Sequence, residues 1–177
     1  MSALTADAPV NQSVERAVRL LGFFSPEEPE LTLAELNETV VLSIWDGEAP
    51  VVVRADDNTE RLARIVVRAG SRLPLTDSAQ GKVYCAFLPE LESNLERAEL
   101  ESIRASRIAV NSRVVAGIRA VATPVFQDRE LAGAMAVVGT AATIPDDPSS
   151  PLARRLRAAA ERLSEELGFL RTERSTA

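Results

Sequence analysis

An α+β domain built on one antiparallel sheet is the fold class this sequence predicts, and three observations predict it. From Thr39 the apolar pattern takes a period of two, with Val40, Leu42 and Ile44 alternating against Val41, Ser43 and Trp45, and Asp46-Gly47 then supplies a strong hairpin turn. Two more apolar runs, residues 117–126 and 131–139, are joined by the tight polar turn Gln127-Asp128-Arg129-Glu130. Helical spacing appears between these hairpins and again at the end of the chain. Hairpins interrupted and followed by helices are the signature of an antiparallel sheet with helices packed on it.

Taken in order, residues 1–12 are small and polar with one proline and read as a disordered lead. Ser13 caps a helix over residues 14–24, in which Val14, Ala17, Val18, Leu21 and Phe24 form one apolar stripe. Residues 25–29 make a Pro-containing acidic loop. Residues 31–36 then begin a second helix, with Thr32 and Glu35 at capping-box spacing. Strands follow at 39–45 and 50–55, and a third is expected at about 62–67, before Gly70. A helix starts just past Thr76 and ends near Leu88-Pro89; a charged helix is expected from Glu90 to about Arg104. Strands resume at 108–110, 117–126 and 131–139. Pro145, Pro148 and Pro151 stiffen a loop, and a last helix carries Leu152, Leu156, Ala159, Leu163 and Leu167 on one face before stopping at Gly168.

Composition bounds the function. The 177 residues suffice for one ordinary domain with an appendage, and a 46% hydrophobic, 26% charged chain is globular. Its core must be aliphatic, since Trp45 and Tyr84 are the single Trp and Tyr. A net charge of −6 gives no general attraction to nucleic acid or to an anionic membrane. The one cysteine, Cys85, lies in an apolar helical run and reads as a buried structural thiol. No apolar run approaches ~18 residues and no leader pattern opens the chain, so the cytoplasm is expected. Histidine is absent, which removes His-based triads, His-ligated zinc and imidazole acid–base chemistry. Neither a Walker-type loop nor a Gly-x-Gly-x-x-Gly fingerprint occurs. No catalytic residue, metal or cofactor is expected, and the chain reads as a non-enzyme.

The most telling stretch is residues 67–82, Val-Arg-Ala-Gly-Ser-Arg-Leu-Pro-Leu-Thr-Asp-Ser-Ala-Gln-Gly-Lys. Thr76, Asp77 and Ser78 are each able to cap a helix, and Ala79, Gln80 and Gly81 place small or flexible residues at its first turn. Free N–H groups and the helix dipole make such a start receptive to carboxylate or phosphate. The same stretch resembles the effector-pocket helix of the IclR family of bacterial transcription regulators, which reads Gly-x-x-Leu-Pro-Leu, a polar turn, and a small-residue run ending in Gly-Lys. The resemblance extends over residues 38–169. It implies a GAF/PAS-like effector-binding domain over residues 37–177: a curved antiparallel sheet with flanking helices on one face and a small-molecule pocket on the other.

Residues 13–21 and 31–36, with Ser-x-Glu-Arg-Ala-x-x-Leu-Leu and Leu-Thr-Leu-Ala-Glu-Leu, resemble the opening of that family's winged helix-turn-helix. After Leu36 the rest of the second helix, the recognition helix, the β-wing and the linker helix have no counterpart, so residues 1–36 read as a disordered lead and a short helical N-terminal remnant of the motif; residues 31–36 alternatively resemble the end of that linker helix. A helix-turn-helix reads bases with its second helix and steadies itself with basic residues on phosphates. Residues 1–36 carry two Arg against six acidic residues. Direct DNA binding is therefore expected to be impaired, although the resemblance implies it.

The resemblance also implies the site: Ser78, Ala79, Gln80 and Gly81 at the helix start, Val110 and Asn111 with Ser112 and Arg113 where the family has an acidic stretch, Ala120 after Arg119, and Ala136 and Val138 on the last strand. This chain replaces the family's acidic and polar side chains with Val-Asn-Ser-Arg, Ala and Val. An effector with an apolar body and one carboxylate end suits that wall better than a small oxoacid does. Arg119, on an otherwise apolar strand, must find a carboxylate, a carbonyl or the ligand. A homodimer or tetramer is implied, and no membrane partner. Three functions compete: an effector-sensing regulator, a stand-alone ligand-binding module that forms mixed oligomers with full-length relatives, and a carboxylate-based enzyme.

Overall fold

A computed structural model describes residues 38–56, 65–91, 93–111 and 115–168. The expected helices at 14–24 and 31–36 and the first residues of the expected strand at 62–67 lie outside the described residues. Five antiparallel strands form one sheet in the order β2-β1-β5-β4-β3: β1 Thr39–Trp45, β2 Pro50–Asp56, β3 Ala109–Asn111, β4 Ile118–Gln127 and β5 Glu130–Thr140. Both predicted hairpins are present, β1–β2 through Asp46-Gly47 and β4–β5 through residues 127–130. The Asp46 carboxylate turns the first, accepting from the Glu48 and Ala49 N–H groups at 2.9 and 2.8 Å.

Residues 65–67 do not form the strand expected there. Gly70, at φ +85°, turns the chain so that the segment after it runs back along β2. The Val52 N–H donates to Ser71 O, the Gly70 N–H to Val52 O and the Leu73 N–H to Pro50 O. Three backbone bonds thus occupy the outer edge of β2, which would otherwise present unpaired groups.

Among the described residues three helices pack on the sheet: α1 Ala79–Phe87, α2 Arg97–Ser106 and α3 Pro151–Glu166. Ser78 is the N-cap of α1 and Ser150 that of α3, each accepting from the N–H three residues on. The α2 helix begins at Arg97 rather than Glu90. Leu88, which precedes Pro89, is held extended at φ −108°, ψ 97°, and the Ser93 and Asn94 that follow favour turns over helix interiors.

The two faces of the sheet divide by the period-two alternation. Val40, Leu42, Ile44, Val121, Met135 and Val137 meet Leu156, Ala160 and Leu163 of α3. On the other face Ala109, Ala122, Ala134 and Ala136 meet Ala79, Val83 and Tyr84 of α1, with Ile103 of α2 behind them. The pocket therefore shares its face with α1 and α2, while among the described residues α3 is the helix that covers the opposite face. This corrects the expectation that all helices lie on one face and the pocket on the other.

Alanines on the α1 face let the helix lie close to the strands, and Gly81 lets it lie close to the preceding loop. A Cβ built at Gly81 would collide with the backbone carbonyls of Pro74 and Leu75, lying 2.6 Å from Leu75 C. Gly81→Ala is expected to cost about 3 kcal/mol, the upper end for an overpacked core, read as a lowered urea midpoint at unchanged slope.

Candidate effector pocket

The start of α1, the loop before it and the α1 face of the sheet border a partly open pocket of about 210 Å³. Its wall is aliphatic, from Val41, Ile65, Val67, Leu73, Pro74, Ala79, Val115, Ile118, Ala120 and Val138, and its polar side chains are Ser78, Gln80 and Asn111. Val41, Ala120 and Val138 reach it together because they share a face: Val41 pairs with Ala136, and Ala120 with Val138.

The helix start supplies the polar end. Ser78 Oγ accepts from the Gly81 N–H at 2.9 Å and donates to Pro74 O at 2.6 Å, so its hydroxyl is fully used in capping. The Lys82 N–H closes the first helical bond on Ser78 O. Among the described residues, the N–H groups of Ala79 and Gln80 have no acceptor. Both residues are buried on the cavity wall, at the positive end of the helix dipole.

Gln80 is tied down by its amide nitrogen, which donates to Ser43 Oγ at 2.8 Å and to Ala134 O at 3.1 Å. A carbonyl partner can face only the NH2 end of the amide, so the orientation is fixed chemically and Oε1 turns away from the sheet. Ser43 belongs in turn to a buried cluster: the Tyr84 hydroxyl donates to Ser43 O at 2.8 Å, and the Tyr84 ring lies 5.6 Å from that of Trp45. Burial pushes the Tyr84 phenol up, keeping it a neutral donor.

Asn111 is held from the other side. Its Nδ2 donates to Asp77 O, which places the amide beside the helix start. Its Oδ1 is buried and has no hydrogen-bond partner among the described residues. One turn along α1, the Lys82 side chain is 6% exposed, and its ammonium donates to Glu99 Oε1 at 2.6 Å and Val110 O at 3.4 Å, joining α1, α2 and β3.

Of the ten residues expected at the site, Ser78, Ala79, Gln80, Asn111, Ala120 and Val138 line one cavity. The other four do not. Gly81 is spent on the close contact with the loop. Val110 and Arg119 alternate with Asn111 and Ala120, so their side chains emerge on the α3 face. Ala136 is fully buried in the core beneath α1. Arg119 takes the loop-anchoring alternative: Nη1 donates to Ile144 O at 2.6 Å, and Nη2 lies 3.7 Å from Asp146 Oδ2. Val41, Ile65, Val67, Leu73, Pro74, Val115 and Ile118 were not anticipated as wall residues. Val41 was legible, as it sits in phase with Ser43 and Trp45 on β1; the loop residues carry no such period. Cys85 is buried and its thiol is pushed up by desolvation, consistent with a structural role.

Among the described residues, no group of His, Cys, Asp and Glu is placed to hold a metal ion, and no helix is long and apolar enough to cross a membrane. The model of the family described as bacterial transcriptional regulator IclR C-terminal matches residues 23–103. The crystal structure of Pseudomonas aeruginosa HmgR is 30% identical, covers 90% of this chain and is covered over 68% of its own length, with a TM-score of 0.72. The Thermotoga maritima IclR structure, 23% identical over 89% of this chain and 74% of its own, superposes with a TM-score of 0.67 and shows the same fold. The HTH-type transcriptional regulator KipR of Bacillus subtilis is 24% identical over 76% of this chain, and the chain spans 62% of KipR's length. This chain belongs to the IclR family of bacterial transcription regulators, and the fold described here is that family's C-terminal, effector-binding domain.

Because Arg119 faces away from the cavity, Arg119→Met is expected to remove about 1.5–3 kcal/mol of charged hydrogen bonding without changing ligand response. Faster proteolysis within residues 141–147, at an unaltered ligand-induced melting shift, is the expected pair of readings.

Proposed function

We propose that this chain is the ligand-sensing part of an IclR-type transcription regulator and that the cavity is its effector site. One observation carries the reading: a partly open aliphatic pocket has in its wall the first two residues of a helix, Ala79 and Gln80, whose N–H groups have no acceptor among the described residues. An unsatisfied N–H pair at the positive end of a helix favours an anionic or carbonyl oxygen, and the walls favour an apolar body. Size narrows the choice. An engineered apolar cavity of about 150 Å³ accommodates benzene, so 210 Å³ suits one ring or a short branched chain bearing a carboxylate.

Absence of histidine and the apolar lining support a binding role over a carboxylate-based enzyme. Residues 1–36, proposed as a unit distinct from 37–177, carry two Arg against six acidic residues, which supports impaired direct DNA binding. The same acidity favours the second reading, a ligand-binding module that acts through mixed oligomers with full-length regulators. A homodimer or tetramer and a cytoplasmic setting complete the proposal by family likeness.

Phenylacetate and cyclohexylacetate are suitable probes. At ~100 times its dissociation constant a bound probe adds about 2.7 kcal/mol of stability, read as a higher melting temperature. Ala79→Pro removes one free N–H and remains tolerable, because Ser78 is extended at φ −113°, ψ 150° and Ala79 is the first helical residue. It is expected to weaken the response more than the apo fold. Val138→Trp fills the cavity from the sheet side and is expected to abolish it. Parent-like responses in both variants would place the site elsewhere. In a gel shift, DNA binding is expected to stay at the non-specific level of roughly 10⁻⁴ M at physiological salt; a sequence-dependent shift at far lower protein concentration would contradict this.

A further inference from the structure

We infer that the Gln80 side chain reads the effector through its amide oxygen, and that the group it selects is carboxamide-like, an N–H donor beside the oxygen that meets the helix start. The inference rests on the pocket being the effector site. Gln80 is 4% exposed and lies on the pocket wall. Its amide nitrogen sits among three oxygens of the sheet, Ser43 Oγ at 2.8 Å, Ala134 O at 3.1 Å and Val41 O at 3.5 Å. Turning the amide over would set Oε1 against two carbonyls, so its orientation is fixed. Among the described residues Oε1 has no donor, yet it is not one of the unpaired polar atoms sealed from solvent. The little surface that Gln80 keeps therefore includes an unpaired acceptor, and the pocket is where that surface opens.

Covalent geometry sets this acceptor beside a free donor. The chain of bonds from the Gln80 nitrogen to Oε1 keeps the two within about 6 Å. Helical side chains also lean toward the N-terminal end, over the turn that bears the free N–H groups. One residue thus offers a ligand a backbone donor and a side-chain acceptor. A carboxylate answers the donor and leaves Oε1 unpaired. A carboxamide answers both, with its carbonyl oxygen on the N–H and its NH2 on Oε1. Neither neighbouring polar side chain takes this part: Asn111 Oδ1 has essentially no accessible surface, and the Ser78 proton is given to Pro74 O. An acceptor this enclosed is costly to leave without a partner.

The test compares matched pairs by isothermal calorimetry on the full chain. Phenylacetamide is set against benzyl methyl ketone, and cyclohexylacetamide against cyclohexylmethyl methyl ketone. Each pair keeps the ring and the carbonyl and exchanges NH2 for a methyl group of similar size. Phenylacetate serves as the probe of the pocket itself. The expected result is that each amide binds about tenfold more tightly than its ketone, the difference that one neutral hydrogen bond to a buried acceptor supplies. In Gln80→Met, which keeps the length of the side chain, that preference is expected to vanish while phenylacetate still binds through the helix-start N–H groups. If that variant fails to fold, the amide-to-ketone comparison in the parent protein decides alone. Equal binding of amide and ketone, with phenylacetate bound, would overturn this inference and leave the effector-site reading standing. An amide preference retained in Gln80→Met would also overturn it. Failure of every probe to bind up to about 10 mM would overturn the effector-site reading, and this inference with it.

Discussion

The carbonyls of Pro74 and Leu75 press against the α-carbon of Gly81, and the pocket depends on that contact. Any side chain at residue 81 would push the first turn of α1 away from the loop that precedes it. With glycine there, the loop folds tightly under the helix, and Ser78 closes the turn by taking the Gly81 N–H and giving its proton to Pro74 O. The N–H groups of Ala79 and Gln80 are then fixed at the polar end of an otherwise aliphatic chamber. A looser helix start would not hold these two N–H groups in one fixed direction.

The sheet contributes by what it omits. Ala109, Ala120, Ala122, Ala134 and Ala136 give the α1 face little side-chain volume, while Val, Leu, Ile and Met fill the α3 face. Along β4 and β5 the same backbone therefore carries a dense core on one side and a chamber on the other. Helix α3 supplies burial, and α1 supplies the polar end of the proposed effector site. Two polar ties hold α1 over the chamber: Gln80 to Ser43 and Ala134 O at its start, and Lys82 to Glu99 and Val110 O one turn on. Both ties satisfy groups that would be costly to bury alone.

The strand pairing was legible in the sequence because period two and polar turns are local signals: Asp46-Gly47 and residues 127–130 each turn a hairpin as their composition predicts. The start of α1 was legible for the same reason, since Ser78 caps as a serine should. What failed depended on tertiary choices. Residues 65–67 are apolar enough for a strand, but the chain pairs with β2 only after Gly70 reverses it. Helix α2 starts late because Pro89 and the Ser93-Asn94 pair outweigh the charged pattern around them. At the site, carrying residues over by likeness ignored the alternation of strand faces: Asn111 and Ala120 face the chamber, so their neighbours Val110 and Arg119 cannot. Leu73 and Pro74 were read as part of a motif and not as wall, because a loop has no period to show which way it faces.

The central claim is that the Ala79 and Gln80 N–H groups receive the ligand's oxygen. An amide-resolved NMR titration of the full chain with phenylacetate measures this directly. The account predicts downfield proton shifts at Ala79 and Gln80, the sense expected of a new hydrogen bond to an anion, with Arg119 and the 141–147 loop on the far face of the sheet unmoved. Saturable shifts confined to other residues, with Ala79 and Gln80 unchanged, would contradict it.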